Sequence, residues 1–238
     1  MINYAHRGAS EYAPENTLSS FYLGLLQGAK GIETDVQKTK DGVLILFHDD
    51  TLGRVTDAQG KIADHTWEEL SKVKVFGNCK NGFYDRIITL RTFLEHFAGY
   101  DIHFAIELKG VDVEKETLEM VMEFGILERV TFTSFQFGYI RRIKEMEPRA
   151  RVGWLVKEVG EQEIRDIQEM GGEELAPQAE LLTEEKVKNC RDAGLGVRAW
   201  GLRNEALMKQ MCQLGVDGMT VNFPDKLTKY LSDGADQA

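Results

Sequence analysis

The chain has 238 residues, 42% of them hydrophobic and 29% charged, which suits one globular α/β domain better than two. With 29 Lys and Arg against 39 Asp and Glu the formal charge is −10, which argues against a nucleic-acid or anionic-membrane surface and requires any anionic substrate to meet a locally reversed field. Cys79, Cys190 and Cys212 are odd in number and show no metal or redox spacing, so free thiols in a reducing compartment are expected. The start MINYAHRGAS carries neither a basic stretch nor an apolar one, and no apolar run approaches the roughly 20 residues of a membrane helix. The expectation is a cytoplasmic protein without stable membrane insertion.

In chain order, β-branched runs alternate with helical patterns. Strands are expected at 2–6, 31–39, 104–109, 130–134, 152–156, 174–178, 197–201 and 216–221, and helices at 17–27, 90–97, 115–124, 138–146, 163–170, 184–193 and 205–214, from periods of 2 and 3.6. In 184–193, for example, Val187 and Cys190 share a face with charges opposite. Strand–helix repeats with short connections predict right-handed βαβ units closing into a single (β/α)8 barrel, the TIM-barrel class. An open doubly wound sheet is the alternative, but no GxGxxG turn follows the first strand. The rhythm breaks once. After a further strand-like run at 43–47, residues 49–88 separate the second strand from its helix, with turn-rich stretches AQGK and GNCKNG. This is read as an insertion over the barrel mouth, after which Thr89 caps the delayed helix. The tail from Gly234 is expected to fray.

In a parallel barrel the chemistry collects at carboxyl-terminal strand ends. The first strand ends in His6-Arg7-Gly8, the run 43–47 leads into His48-Asp49, and Glu33/Asp35 and Glu107/Lys109 are each spaced i, i+2. That spacing puts both members of a pair on one strand face. Carboxylates crowded into a barrel interior repel and are costly to bury unpaired; a divalent cation resolves both problems. Three carboxylates with no thiolate favour a hard ion, Mg2+ or Ca2+. Arg7 and Lys109 would invert the local field and hold a phosphate, while His6 and His48 titrate near neutrality and can take and give a proton. Such a set is equipped for phosphodiester cleavage.

The blocks His6-Arg7-Gly8, Pro14-Glu15-Asn16-Thr17, Glu33-Thr34-Asp35-Val36, Thr39-Lys40-Asp41-Gly42 and His48-Asp49, then Glu107-Leu108-Lys109, Ser134-Phe135, Trp200 and Asp217-Gly218, resemble the glycerophosphodiester phosphodiesterases in order and spacing across nearly the whole chain. The resemblance implies metal ligands at Glu33, Asp35 and Glu107, an acid–base pair at His6 and His48, phosphate contacts from Arg7 and Lys109, and support from Glu15. It implies release of sn-glycerol 3-phosphate and an alcohol from a small-molecule glycerophosphodiester. It also fits a route in which the neighbouring glycerol hydroxyl attacks and water opens a cyclic phosphate, an intramolecular step that gains effective molarity; direct attack by water is the other route. Trp200 is followed by Gly-Leu-Arg where many relatives have Thr-Val-Asn, and the Ile-Thr-Leu-Arg block at 88–91 lacks a frequent proline and glutamate. These departures bear on substrate preference.

Plainer readings stand beside these. Glu33/Asp35 and Glu107/Lys109 could be solvated strand faces, although Phe104-Ala105-Ile106 makes an exposed edge poor there. His65, His96 and His103 fit surface or packing roles, and Trp67 and Trp154 fit packing. Phe135 and Trp200 could wall a substrate pocket or simply pack, and Asn222 could cap a helix before Pro224. Rival functions are a phospholipase D-like enzyme acting on lysophospholipid or sphingomyelin, a non-catalytic phosphoester-binding barrel, and a sugar-phosphate isomerase, which would leave the two histidines unexplained.

Overall fold

The computed structural model describes residues 1–77 and 83–235. Cys79 and most of the GNCKNG stretch lie outside them. Eight parallel strands close into a barrel: β1 (Ile2–His6), β2 (Gly31–Lys38), β6 (His103–Leu108), β7 (Val130–Ser134), β8 (Arg151–Val156), β9 (Glu174–Pro177), β10 (Gly196–Ala199) and β11 (Gly218–Val221). Each pairs with its neighbour in that order, and closure comes from β1 pairing with both β11 and β2. The barrel helices are α1 (Leu18–Leu26), α3 (Leu90–Phe97), α4 (Glu114–Glu123), α5 (Phe137–Met146), α6 (Glu161–Glu169), α7 (Glu184–Asp192), α8 (Glu205–Leu214) and α9 (Pro224–Ala235). The tail expected to fray from Gly234 is helical through Ala235; residues 236–238 lie outside the described part.

The core lies between strands and helices. In α3 the buried Leu90, Phe93, Leu94 and Phe97 fall at i, i+3, i+4 and i+7, so one stripe faces the sheet. Thr89 caps that helix, its side chain accepting from the Thr92 amide. Phe93 meets Phe21, Phe97 and Phe104 with ring centroids 4.8, 5.2 and 5.8 Å away, and burial of each such ring contributes about 2–3 kcal/mol.

The run expected at 43–47 is a short strand, β3 (Leu44–Leu46), antiparallel to the end of β2. The following stretch carries α2 (Trp67–Leu70) and the small hairpin of β4 (Lys74–Val75) with β5 (Asp85–Arg86). Leu52, Val55, Ile62, Leu70, Val75 and Ile87 form an apolar cluster of their own with Ile45 and Phe47. This stretch meets the carboxyl-terminal loops of the barrel, where Asp85 accepts from the Ser19 amide at 3.0 Å and Arg54 reaches Glu15. Helix α9 begins at Pro224, directly after Phe223, which leaves Asn222, a possible cap from the sequence, one residue before the capping position.

Candidate active site

Glu33 and Asp35 on β2 and Glu107 on β6 all point into the barrel, as the period-2 spacing requires, and all are buried. Register puts Asp35 directly beside Glu107. One oxygen from each of the three carboxylates falls within 4.8 Å of the others. Asp35 Oδ1 is buried and accepts no hydrogen bond among the described residues, while Oδ2 accepts from the Asn16 amide at 2.9 Å. Oxygen donors converging on an unsatisfied carboxylate oxygen fit a hard divalent cation, so these three residues could hold Mg2+ or Ca2+. Burial, then repulsion from Asp35, raises the Glu33 carboxyl well above its usual range and Glu107 to about 7. Burial works the same way on Asp35, but Arg7, His48, Lys109 and the Asn16 hydrogen bond outweigh it and hold its carboxyl below its usual range.

The first βα loop is built around Gly8, whose φ of +83° and whose position 2.4 Å (as an added Cβ) from Ser20 admit only glycine. Arg7 and Asn16 take φ of 56° and 57°, a left-handed backbone that costs about 1–3 kcal/mol and concentrates at functional sites. The surrounding bonds hold it. The Arg7 amide donates to the Glu33 carbonyl at 2.9 Å, and the Asn16 amide donates to the Arg7 carbonyl at 3.0 Å. Asn16 accepts from Thr34 at 2.8 Å, and Thr17 caps α1. The Pro-Glu-Asn-Thr block is thus structural wiring for the carboxylates and Arg7.

The cations flank the acids. Arg7 Nε lies 3.1 Å from Asp35, and Lys109 Nζ lies 3.2 Å from Glu107 and 3.9 Å from Asp35. Burial works against the charge on Lys109, but Asp35 and Glu107 outweigh it and raise its pKa. Glu15 is not in the cavity lining. Its oxygens accept from Arg7 at 3.1 Å and from Arg54 at 2.7 and 2.9 Å, so it sits behind Arg7 and ties that residue to the stretch after β3.

Both histidines line one cavity. His6 Nδ1 lies 2.6 Å from Asn222 Oδ1; a carbonyl oxygen only accepts, so the proton sits on Nδ1 and Nε2 offers a lone pair. Nε2 lies 3.8 Å from Glu33. Burial, then Arg7, pushes His6 down to about 3, which keeps the ring neutral. His48 Nδ1 donates to Asp49 at 2.6 Å, Asp49 accepts from Arg54, and Gln37 donates to the carbonyls of His48 and Asp49 at 3.4 and 3.1 Å.

His6, Arg7, Glu33, His48, Glu107, Phe135 and Trp200 line one cavity of about 280 Å3. Phe135 and Trp200 meet edge to face, centroids 5.3 Å apart. Trp200 Nε1 donates to the Val156 and Ala176 carbonyls at 3.0 and 2.9 Å, which fixes that wall. Asp35 lies beneath the cavity, and Lys109 approaches Glu107 from a neighbouring groove. Sequence reasoning missed Asn16, Arg54, Asn222 and Arg198. Arg198, only 1% exposed, lines the same cavity and pairs with Glu174 at 2.9 Å; alternation back from Trp200 would have placed it inside.

His65, His96 and His103 lie away from this centre. His65 lies 3.2 Å from the Gln59 carbonyl, His96 pairs with the Tyr22 hydroxyl at 2.8 Å, and His103 starts β6 exposed. Trp67 and Trp154 pack against the two apolar clusters. Among the described residues Cys190 and Cys212 are free thiols, and no helix is long and apolar enough to cross a membrane.

A parallel eight-stranded barrel with an acidic centre, flanking cations and paired histidines at its carboxyl-terminal mouth is the architecture of a barrel phosphodiesterase. The family follows directly: the chain belongs to the glycerophosphoryl diester phosphodiesterase family, whose model matches residues 6–226. A glycerophosphodiester phosphodiesterase of Caldanaerobacter subterraneus subsp. tengcongensis is 32% identical over 97% of this chain and 97% of its own. One from Bacillus altitudinis is also 32% identical, over 95% and 96%. Among solved structures, a phosphodiesterase of Oleispira antarctica in complex with the product sn-glycerol-3-phosphate superposes with a TM-score of 0.87 at 27% identity, covering 98% of this chain and 97% of that one.

Proposed function

We propose that the chain hydrolyses glycerophosphodiesters to sn-glycerol 3-phosphate and an alcohol, with a divalent metal on Glu33, Asp35 and Glu107. The observation that carries this reading is the acidic trio between Arg7 and Lys109, with two histidines oriented by their own partners. A bound metal would supply Lewis-acid stabilisation of the phosphoryl oxygens. Arg7 and Lys109 would hold the phosphate, in a chain whose overall charge is −10. His6, neutral and with Nε2 free of its proton, is the base; His48, with Asp49 behind it to balance positive charge on the ring, gives the proton to the leaving alcohol. The base takes its proton from the glycerol hydroxyl beside the phosphate or from water; the first choice gives a cyclic phosphate that water then opens. Phe135 and Trp200 would wall the substrate pocket, and Glu15 would act through Arg7. The stretch 49–88 is read as a cover over the mouth, supported by the Arg54–Glu15 contact.

The test is His6→Ala and His48→Ala. Turnover should fall by about two to four orders of magnitude in each, with an unchanged far-ultraviolet spectrum. Near-normal turnover in either variant removes that histidine from the chemistry.

A further inference from the structure

We infer that the groove beside Lys109 is a second anion subsite, which selects glycerophosphodiesters whose leaving alcohol carries a phosphate of its own. This rests on the hydrolase reading above. The groove, of about 420 Å3, lies at the carboxyl end of β2 against residues 61–63, and Lys38, Lys40, Lys61 and Lys109 line it against a single acid, Asp50. In a chain of formal charge −10, that is a local reversal of the field beside the catalytic cavity.

Two of the lysines are already engaged. Lys38 donates to the Asp112 carbonyl and pairs with Glu116 at 2.6 Å, and Lys109 pairs with Glu107 at 3.2 Å. Lys40 and Lys61 are exposed and make no ion pair among the described residues, although Glu69 is near enough to Lys40 to feel its charge. Val111, 72% exposed, offers the groove an apolar wall for a carbon skeleton.

Two links join groove and cavity. Lys109 touches Glu107, which lines the cavity, and Gln37, which lines the groove, holds the His48 and Asp49 carbonyls. A leaving alcohol that extends past Lys109 therefore enters the groove. A phosphate on it would meet Lys40 and Lys61, neither of them ion-paired among the described residues, and strongly hydrated lysines suit such a point charge.

The test compares kcat/KM for glycerophosphoinositol and glycerophosphoinositol 4-phosphate, the same alcohol without and with a phosphate. Release of sn-glycerol 3-phosphate is followed with Mg2+ for wild type, K40Q/K61Q and K40E/K61E. Wild type should favour the phosphorylated substrate about tenfold at low ionic strength, and the preference should shrink when salt shortens the Debye length from about 10 Å to about 3 Å. It should weaken in K40Q/K61Q and vanish or invert in K40E/K61E, with glycerophosphoinositol turnover held within about twofold. Equal efficiency on both substrates in wild type, or a preference that survives charge reversal, overturns the subsite alone. Release from neither of these while glycerophosphocholine is cleaved overturns the subsite alone, and release from none of the three overturns the hydrolase reading and this inference with it.

Discussion

Divalent-ion affinity should weaken steeply below pH 7, for a reason visible in the acidic trio. Glu107 is raised to about 7 and Glu33 is raised well above its usual range, in each case by burial and then by Asp35. A carboxyl must lose its proton to ligate, so below those values metal and proton compete. Each proton displaced weakens apparent affinity about tenfold per pH unit, or about 1.4 kcal/mol. Glu107 alone therefore predicts a loss of about two decades between pH 7 and 5, and Glu33 steepens it. The sign for the metal-free protein follows the same logic. A carboxyl raised on folding contributes stability below its unfolded value near 4.5, and that contribution is lost as pH rises through about 7. His6 is held near 3, so it stays neutral and adds no competing proton above pH 5. Calorimetric titration with Mg2+ or Ca2+, in two buffers of different ionisation enthalpy, reads both affinity and proton release. An affinity flat from pH 5 to 7, with no proton release, would refute the assignment of these carboxylates as ligands.

Asn222→Ala removes the acceptor that holds His6 in one tautomer; kcat should drop about 10- to 100-fold with little change in melting temperature, and unchanged kcat would mean His6 needs no partner. Glu33→Gln should weaken the metal response before it affects folding, measured as Mg2+-dependent activity beside a thermal melt; a collapsed transition would make Glu33 structural. Gly8→Ala forces a Cβ to within 2.4 Å of Ser20 at a φ of +83°, which should cost about 3 kcal/mol and lower Tm by roughly 6–12 °C. A melt within a degree of wild type would show that the loop relaxes freely.

The barrel was legible because its signals are local. Every expected strand overlaps an observed one, with ends differing by a residue or two, since β-branched runs and alternation follow from backbone geometry alone. Glu33, Asp35 and Glu107 came together because alternation turned Glu33 and Asp35 to one face of β2 and register set Asp35 beside Glu107. What escaped was set by tertiary contact. Asn222 precedes Pro224 and reads as a cap, yet β1 pairs with β11 and brings His6 within reach of its side chain. Arg54 lies in a stretch with no periodicity, so nothing local announced that it would join Asp49 to Glu15. Glu15 itself read only as support for the site, and the fold showed what it supports, with both of its oxygens occupied by guanidinium groups.

The most direct test of the central claim is release of sn-glycerol 3-phosphate from glycerophosphocholine, glycerophosphoethanolamine and bis-glycerophosphate, by EDTA-treated protein before and after Mg2+ or Ca2+ is added. The account predicts no release from the metal-stripped protein and recovery with at least one ion. Full activity without metal, or no release from any of the three by folded, metal-loaded protein, would contradict it.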